Sequence, residues 1–368
     1  MKKITIINKH LGIGGTEKYL SSLTKILTDD YDVNLIVSYK IKEIPTFPIS
    51  TKVNVSYLVK GFPTYKEIHK YIKRKQYFNA FKEYINNIKL KFMRFIETIK
   101  VVRNINSDYL IMTRLYDIVI TNLFLHNKKT KKIVVIHKNY KGLRKLLLIV
   151  NLKKIERIIV PTLEMKDEFN KKFKDKVEYI SNFIETTKVK SKLNNKNIIS
   201  IGNFSKDKNV LELIDIMNEI NKKDKDINLI LIGDGKKKNK IRDKISNLNL
   251  ENNIILTGNL NKLEIEDYML NSSVYVSSTL NDSFGLQFLE AMNYGLPVVC
   301  YKSSNKFITN DELLINNKNI SEFADKIIYL FENKKELKYN SKISLNNIKD
   351  YNLKEVAFKW KNVIKNIK

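Results

Sequence analysis

The chain has 368 residues, of which 43% are hydrophobic and 29% charged, with 11 Gly, 5 Pro and a single cysteine, Cys300. One thiol excludes a disulfide scaffold and a cysteine-based metal centre, and no apolar run approaches the ~18 residues of a membrane span. The net charge of +28 rests on 67 Lys and Arg, only seven of them Arg, so the side chain that reads base edges and phosphates bidentately is scarce and nucleic acid is not expected as a partner. Lys, Asn and Ile share AT-rich codons, and a low-GC genome accounts for their excess. Anionic surfaces in general stay open as partners.

In chain order, residues 1–7 read as a short strand followed by Asn8, Lys9 and His10 rather than as a signal peptide, and a cytoplasmic protein is expected. Further β-branched apolar runs fall at 33–38, 53–58, 109–113, 133–137, 158–160 and 177–180, then at 198–201, 229–232, 254–256, 274–276 and 298–300. They are nearly continuous rather than alternating, as strands buried on both faces are, with helical patterns between them. An α/β fold of two doubly wound, Rossmann-like domains follows. The stretch 186–197, rich in Lys, Asn, Ser and Thr, marks the boundary, which gives domains of 1–185 and 186–352. The tail 353–368 is a helical pattern with Val356, Trp360 and Val363 or Ile364 on one face, suited to packing back on the first domain.

Residues 60–103 hold 12 Lys or Arg against Glu67, Glu83 and Glu97, interleaved with Tyr65, Tyr71, Tyr77, Phe78, Phe81, Tyr84, Phe92 and Phe95. Two readings fit: a basic aromatic helix lying on an anionic membrane surface, or a long excursion packed on the first domain with its lysines solvated.

Ligands of open parallel sheets bind beyond the carboxyl ends of the strands, so the turns leaving them carry the chemistry. After 274–276 comes Ser277-Ser278-Thr279-Leu280-Asn281-Asp282-Ser283-Phe284-Gly285-Leu286-Gln287-Phe288-Leu289-Glu290-Ala291-Met292-Asn293-Tyr294-Gly295-Leu296-Pro297. Polar residues give way to a helix near 284–286, whose free N–H groups suit a phosphate. Glu290, about one turn inside, is placed to accept from a ribose diol.

This stretch resembles the E-x7-E signature of retaining glycosyltransferases of family 4. Phe284, Gly285, Leu286, Glu290, Ala291, Met292, Gly295, Pro297, Val298 and Val299 fit it, and Asp282 stands where the first Glu belongs. Gly14-Gly15-Thr16-Glu17 is similar to the family's G-G-x-E loop, and His137 to the histidine beside the donor sugar. Gly202-Asn203-Phe204-Ser205-Lys206-Asp207-Lys208 is similar to the segment that clamps the diphosphate, with Lys208 retained and Asn203 in place of Arg. Residues 231–235 and 256–260 correspond to a G-x-G turn and a loop on the base side, where Gly258, Asn259 and Leu260 would meet the nucleobase.

The resemblance implies the GT-B fold, two Rossmann-like domains facing across a cleft. It implies transfer of a hexose from a nucleotide sugar, a UDP-sugar by default, to a cell-envelope glycan, an anionic teichoic-acid-like polymer or a lipid-linked precursor. Configuration would be retained, without metal or other cofactor. His137, Asp282 and Lys208 would be catalytic, with Gly14, Gly15, Asn203, Lys208, Gly258, Asn259, Leu260, Ser283, Phe284, Gly285, Leu286 and Glu290 binding the donor. A degenerate partner protein that binds a glycan or steadies an active transferase is the alternative, because Asp282 and Asn203 depart from the pattern. A nicotinamide-dependent oxidoreductase fits poorly: Glu17 takes the place of the third glycine of G-x-G-x-x-G, and the second strand ends without an acidic ribose ligand.

Overall fold

The computed structural model describes residues 1–12, 14–137, 140, 142–280, 285–303 and 310–367. Its chain divides into one unit of Met1–Ser181 with Val356–Lys368 and a second of Asn182–Glu355. In the first unit the strands are β1 (Lys3–Asn8), β2 (Asp32–Lys40), β3 (Asn54–Lys60), β4 (Tyr109–Met112), β5 (Lys131–Val135), β6 (Arg157–Val160) and β7 (Val177–Tyr179). They form one parallel sheet in the order β3-β2-β1-β4-β5-β6-β7. Ile4, Ile6, Leu35, Val37, Leu110, Ile111, Ile133, Ile158 and Ile159 are all fully buried, and the neighbours Leu110–Ile111 and Ile158–Ile159 take opposite faces. That two-sided burial is why these runs read as continuous rather than alternating. At the edge, β3 keeps only Val59 buried.

The helices of this unit are α1 (Gly15–Leu27), α2 (Lys66–Lys73), α3 (Tyr77–Arg103), α4 (Leu115–Phe124), α5 (Leu143–Leu152) and α6 (Leu163–Phe173). Although α3 runs for 27 residues, it buries only Ala80, Asn87, Thr98 and Val102. Asn87 fixes the helix by accepting from the Thr64 amide (3.0 Å) and donating to the Thr64 carbonyl (2.7 Å). Phe78 (80% exposed), Tyr77, Phe81 and Phe92 point outward, so α3 packs through a thin stripe and leaves its aromatic side uncovered. No helix among the described residues is long and apolar enough to cross a membrane.

The second unit holds β8 (Asn197–Ile201), β9 (Asn228–Ile232), β10 (Ile254–Gly258), β11 (Val274–Ser277), β12 (Val298–Tyr301) and β13 (Leu314–Ile315), parallel in the order β10-β9-β8-β11-β12-β13. Its helices are α7 (Val210–Lys223), α8 (Lys238–Asn247), α9 (Lys262–Leu270), α10 (Leu286–Asn293), α11 (Ile320–Glu332) and α12 (Lys334–Asn347). With two residues, β13 is too short to carry a periodic signal; it is held by pairing with β12, where Leu314 faces the buried Cys300. In each sheet the order reverses beside the first strand, between β1 and β4 and between β8 and β11, and such switch points open a crevice at the carboxyl ends.

The polar stretch 186–197 is not a free linker. The Thr187 amide donates to Asn293 Oδ1 (3.1 Å) and the Ser191 amide to the Tyr294 carbonyl (2.9 Å), while Ile184 bridges to Asn352. Its side chains spend their polarity on the second unit, and the division falls earlier, after Ser181. The last helix, α13 (Leu353–Lys365), buries Val356, Trp360, Val363 and Ile364. From Val356 onward it belongs to the first unit, where Trp360 Nε1 donates to the Tyr19 hydroxyl (3.1 Å) and Lys361 pairs with Asp30 (2.7 Å).

Candidate active site

In the second unit the turns leaving β8, β9 and β10 are laced together. The Gly202 amide donates to the Ile232 carbonyl (3.0 Å), the Phe204 amide to the Asp234 carbonyl (3.0 Å) and the Gly233 amide to the Gly258 carbonyl (2.8 Å). This nesting needs bare backbone: a Cβ on Gly233, whose φ is +143°, would lie 1.9 Å from the Gly202 oxygen, and one on Gly235 2.7 Å from the Phe204 nitrogen. Phe204, buried in the core, anchors the first turn, and the exposed Asn203 precedes it. The stem of Lys208 lies against Gly202, 3.9 Å from where a Cβ would stand, so glycine there leaves the lysine its path along the turn.

Asn209, left-handed at φ +50°, caps α7 and ties this turn to the exit of β11. Its carbonyl accepts from Ser278 Oγ (2.9 Å) and its side-chain Nδ2 donates to the Ser278 carbonyl (3.3 Å). Gly285, left-handed at φ +66°, starts α10. On that helix Glu290 is half-buried between the fully buried Leu289 and Ala291. Burial, then the charges of Glu266 and Glu290, pushes the Tyr294 phenol up to about 12. At the end of β10 Gly258 takes φ +79°, then Asn259 is exposed and Leu260 packs its side chain on the core, which leaves backbone as that loop's offering.

In the first unit α1 begins at Gly15, and a Cβ on Gly14 would lie 2.3 Å from Glu17 Oε2. Glu17 is buried; its Oε1 accepts from Arg114 Nη2 (2.9 Å) and lies 3.4 Å from His10 Nδ1. The acid of the G-G-x-E loop is thus a strut for Arg114. His137 sits just past β5 with its ring edge-on to Tyr19, centroids 4.6 Å apart. Its Nε2 is buried without a hydrogen-bond partner among the described residues. Burial, aided by the Arg114 charge, pushes this imidazole down to about 4, so it is neutral at neutral pH. A cavity of about 650 Å³ opens beside it, lined among others by Lys9, Thr16, Arg94, Arg114 and Arg144.

The residues singled out in the sequence therefore fall into two groups. His137, Gly14 and Gly15 lie at the carboxyl ends of the first sheet; Asn203, Lys208, Gly258, Asn259, Leu260, Gly285, Leu286 and Glu290 lie at those of the second. Asp282, Ser283 and Phe284 lie outside the described residues. Sequence reasoning passed over Arg94, Arg114 and Arg144. Their signal is scarcity, since three of only seven arginines converge on one cavity.

Two doubly wound parallel sheets, each with its loops gathered at the switch point, define a GT-B chain. Solved structures agree over the whole length: 99% of the chain and 99% of a Staphylococcus aureus TarM variant, held with Fondaparinux, alpha-GlcNAc-glycerol and UDP, superpose with a TM-score of 0.78 at 17% identity. All of HepE from Anabaena, in complex with UDP and glucose, aligns with all of this chain at a TM-score of 0.75 and 13% identity. Residues 183–349 match the family described as Glycosyl transferases group 1. Among curated relatives, the poly(ribitol-phosphate) alpha-N-acetylglucosaminyltransferase of Staphylococcus aureus (strain COL) is 30% identical over 226 residues, 59% of this chain and 45% of that protein. The chain thus spans under half the length of that relative. An uncharacterized glycosyltransferase of Haemophilus influenzae is 25% identical over 99% of this chain and 100% of its own.

Proposed function

We propose that this chain transfers a hexose from a UDP-sugar to a cell-envelope glycan acceptor, retaining the anomeric configuration and using no metal ion. The observation that carries this reading is the laced set of turns over β8, β9 and β10, with Lys208 lying along Gly202 and Glu290 on the neighbouring α10. UDP in the complexes of TarM and HepE, and the poly(ribitol-phosphate) acceptor named for the S. aureus relative, support it.

In this reading the bond between the anomeric carbon and the diphosphate breaks while one to the acceptor oxygen forms on the same face, and the acceptor proton passes to the departing diphosphate. The difficulty lies in the charge growing on that diphosphate, and groups aimed at it before reaction stabilise the transition state most. Lys208 supplies a cation. The Gly285 and Leu286 amides at the start of α10 and those around Gly14 and Gly15 supply donors. Asn203 lies along the same path as a neutral donor. Glu290 accepts from the ribose diol, and backbone at Gly258, Asn259 and Leu260 meets the base. His137, kept neutral, hydrogen-bonds the sugar rather than protonating it. Asp282 would help position the sugar, and Ser283 and Phe284 belong to the donor set by the sequence resemblance; all three lie outside the described residues.

Thermal unfolding with UDP-glucose, UDP-N-acetylglucosamine, UDP-galactose and GDP-mannose tests the donor. At a hundredfold excess over Kd a true donor stabilises the fold by about 2.7 kcal/mol, whereas the others leave Tm unchanged. Slow release of UDP from that donor, lost in Glu290→Ala, is the expected activity. If no nucleotide sugar binds, the chain is instead a glycan-binding partner of an active transferase.

In this reading the enzyme lies on the anionic inner face of the cell membrane, a reading supported by the uncovered aromatic side of α3 set among lysines. Vesicles of phosphatidylglycerol are expected to pellet the protein at low salt and release it as salt rises, because each cation near the surface contributes about 1 kcal/mol that salt screens. Equal pelleting by phosphatidylcholine vesicles refutes this placement.

A further inference from the structure

The cavity of the first unit has a chemistry of its own. Arg94, Arg114, Arg144 and Lys9 line it, and no Asp or Glu does among the described residues. Two carboxylates stand behind the lining: Glu17 holds Arg114 at 2.9 Å and Asp117 holds Arg94 at 3.4 Å. Arg94 is further fixed over the Tyr116 ring, 3.7 Å from its centroid. These supports preset two guanidinium groups without consuming them. Arg94 Nε and Arg114 Nε are buried and have no hydrogen-bond partner among the described residues. Arg144, on the exposed side of α5, has no ion-pair partner among them either.

Four cations against two supporting carboxylates leave the cavity positive, and Leu115, Val119, Ile120 and Leu147 make part of its wall apolar. Charge in such a setting is poorly screened. In a chain whose cations are overwhelmingly lysine, the gathering of planar, forked donors matters, because guanidinium groups match tetrahedral oxyanions bidentately where ammonium groups do not. A volume of about 650 Å³ is enough for a phosphate with the polyol or sugar that carries it.

We propose that this cavity binds a phosphate ester of the acceptor, with Arg94, Arg114, Arg144 and Lys9 on the phosphate and the attached hydroxyl group brought beside His137. The role of that phosphate as part of an acceptor rests on the transferase reading above; the site itself does not. The phosphate can belong to a soluble phosphodiester or to a lipid headgroup, since Leu143, Leu146 and Val150 leave the α5 rim apolar and exposed.

Titration calorimetry with glycerol 3-phosphate, at fixed ionic strength and with UDP already saturating, tests it. The wild-type chain is expected to bind. Arg144→Gln is expected to weaken binding about tenfold and Arg144→Lys by less, the difference measuring the fork. UDP affinity, read on the same samples, reports that the variants are folded. No binding of glycerol 3-phosphate, or equal binding by wild type and Arg144→Gln, overturns the proposal. Binding of glycerol 3-phosphate by a chain that ignores UDP keeps the site and removes the transferase reading. Phosphatidylglycerol vesicles give the second arm: weaker pelleting of Arg144→Gln marks a lipid headgroup, and unchanged pelleting beside lost glycerol 3-phosphate binding marks a soluble ester.

Discussion

Replacing Trp360 with Ala is expected to destabilise the first unit by about 3–5 kcal/mol, the range found when a buried aromatic is cut back to a methyl group. Trp360 is fully buried on α13, and its indole N–H is spent on the Tyr19 hydroxyl, which burial holds well above the usual phenol range. The loss combines a cavity with the removal of the indole donor from a buried hydroxyl. Tyr19 also supports the His137 ring, so the site should loosen with the fold. Because Trp360 is the chain's only Trp, the change removes the fluorescence signal. Calorimetry with far-UV circular dichroism is the suitable measurement. Trp360→Phe, which keeps most of the apolar volume, should recover more than half of the loss. A fall in Tm no larger than that of an exposed substitution such as Phe358→Ala contradicts the docking of α13.

Gly233→Ala should be as damaging in the second unit. The added methyl carbon would meet the backbone oxygen of Gly202 at 1.9 Å, in a conformation, φ +143°, that alanine seldom adopts. A side chain could swing aside; a carbonyl in a hydrogen-bonded turn cannot without opening the lacing of three loops. Roughly 4 kcal/mol of stability is at stake, at the upper end for a single change, together with UDP affinity. Gly142→Ala is the control. It shares a positive φ, +55°, but nothing among the described residues lies within 4 Å of its added carbon, so backbone strain alone should cost about 1 kcal/mol. Similar losses in the two variants, measured by urea unfolding, contradict the steric account.

Most strands were legible because a parallel sheet covered on both faces demands continuous apolar runs, as at 229–232 and 298–300. The helix at 353–365 was legible for a similar reason: Val356, Trp360, Val363 and Ile364 keep a helical period. β13 escaped because two residues carry no period. The extent of the second unit escaped because 186–197 is as polar as a linker and bonded only through long-range partners such as Asn293, which no local pattern reveals. Glycine spacing and the Glu290 stretch pointed to the turns of the second unit, where one loop carries most of the signal. The arginine cavity offered nothing of the kind. Its lining comes from the exits of β1, β4 and β5 and from α1, α3, α4 and α5, widely separated in the chain, and only the fold assembles it. Residues 60–103 were legible as basic and aromatic, but the direction in which Phe78 and Phe81 point depends on the thin stripe of Ala80 and Asn87 that docks α3.

The return of α13 to the first unit sets an order on synthesis. Residues up to Ser181 leave the ribosome lacking a piece of their own core, and the groove on α1 that receives Trp360 stays bare until the whole second unit has been made. The half that is translated first is therefore completed last, and a product released early carries an open apolar slot with nothing of its own to fill it.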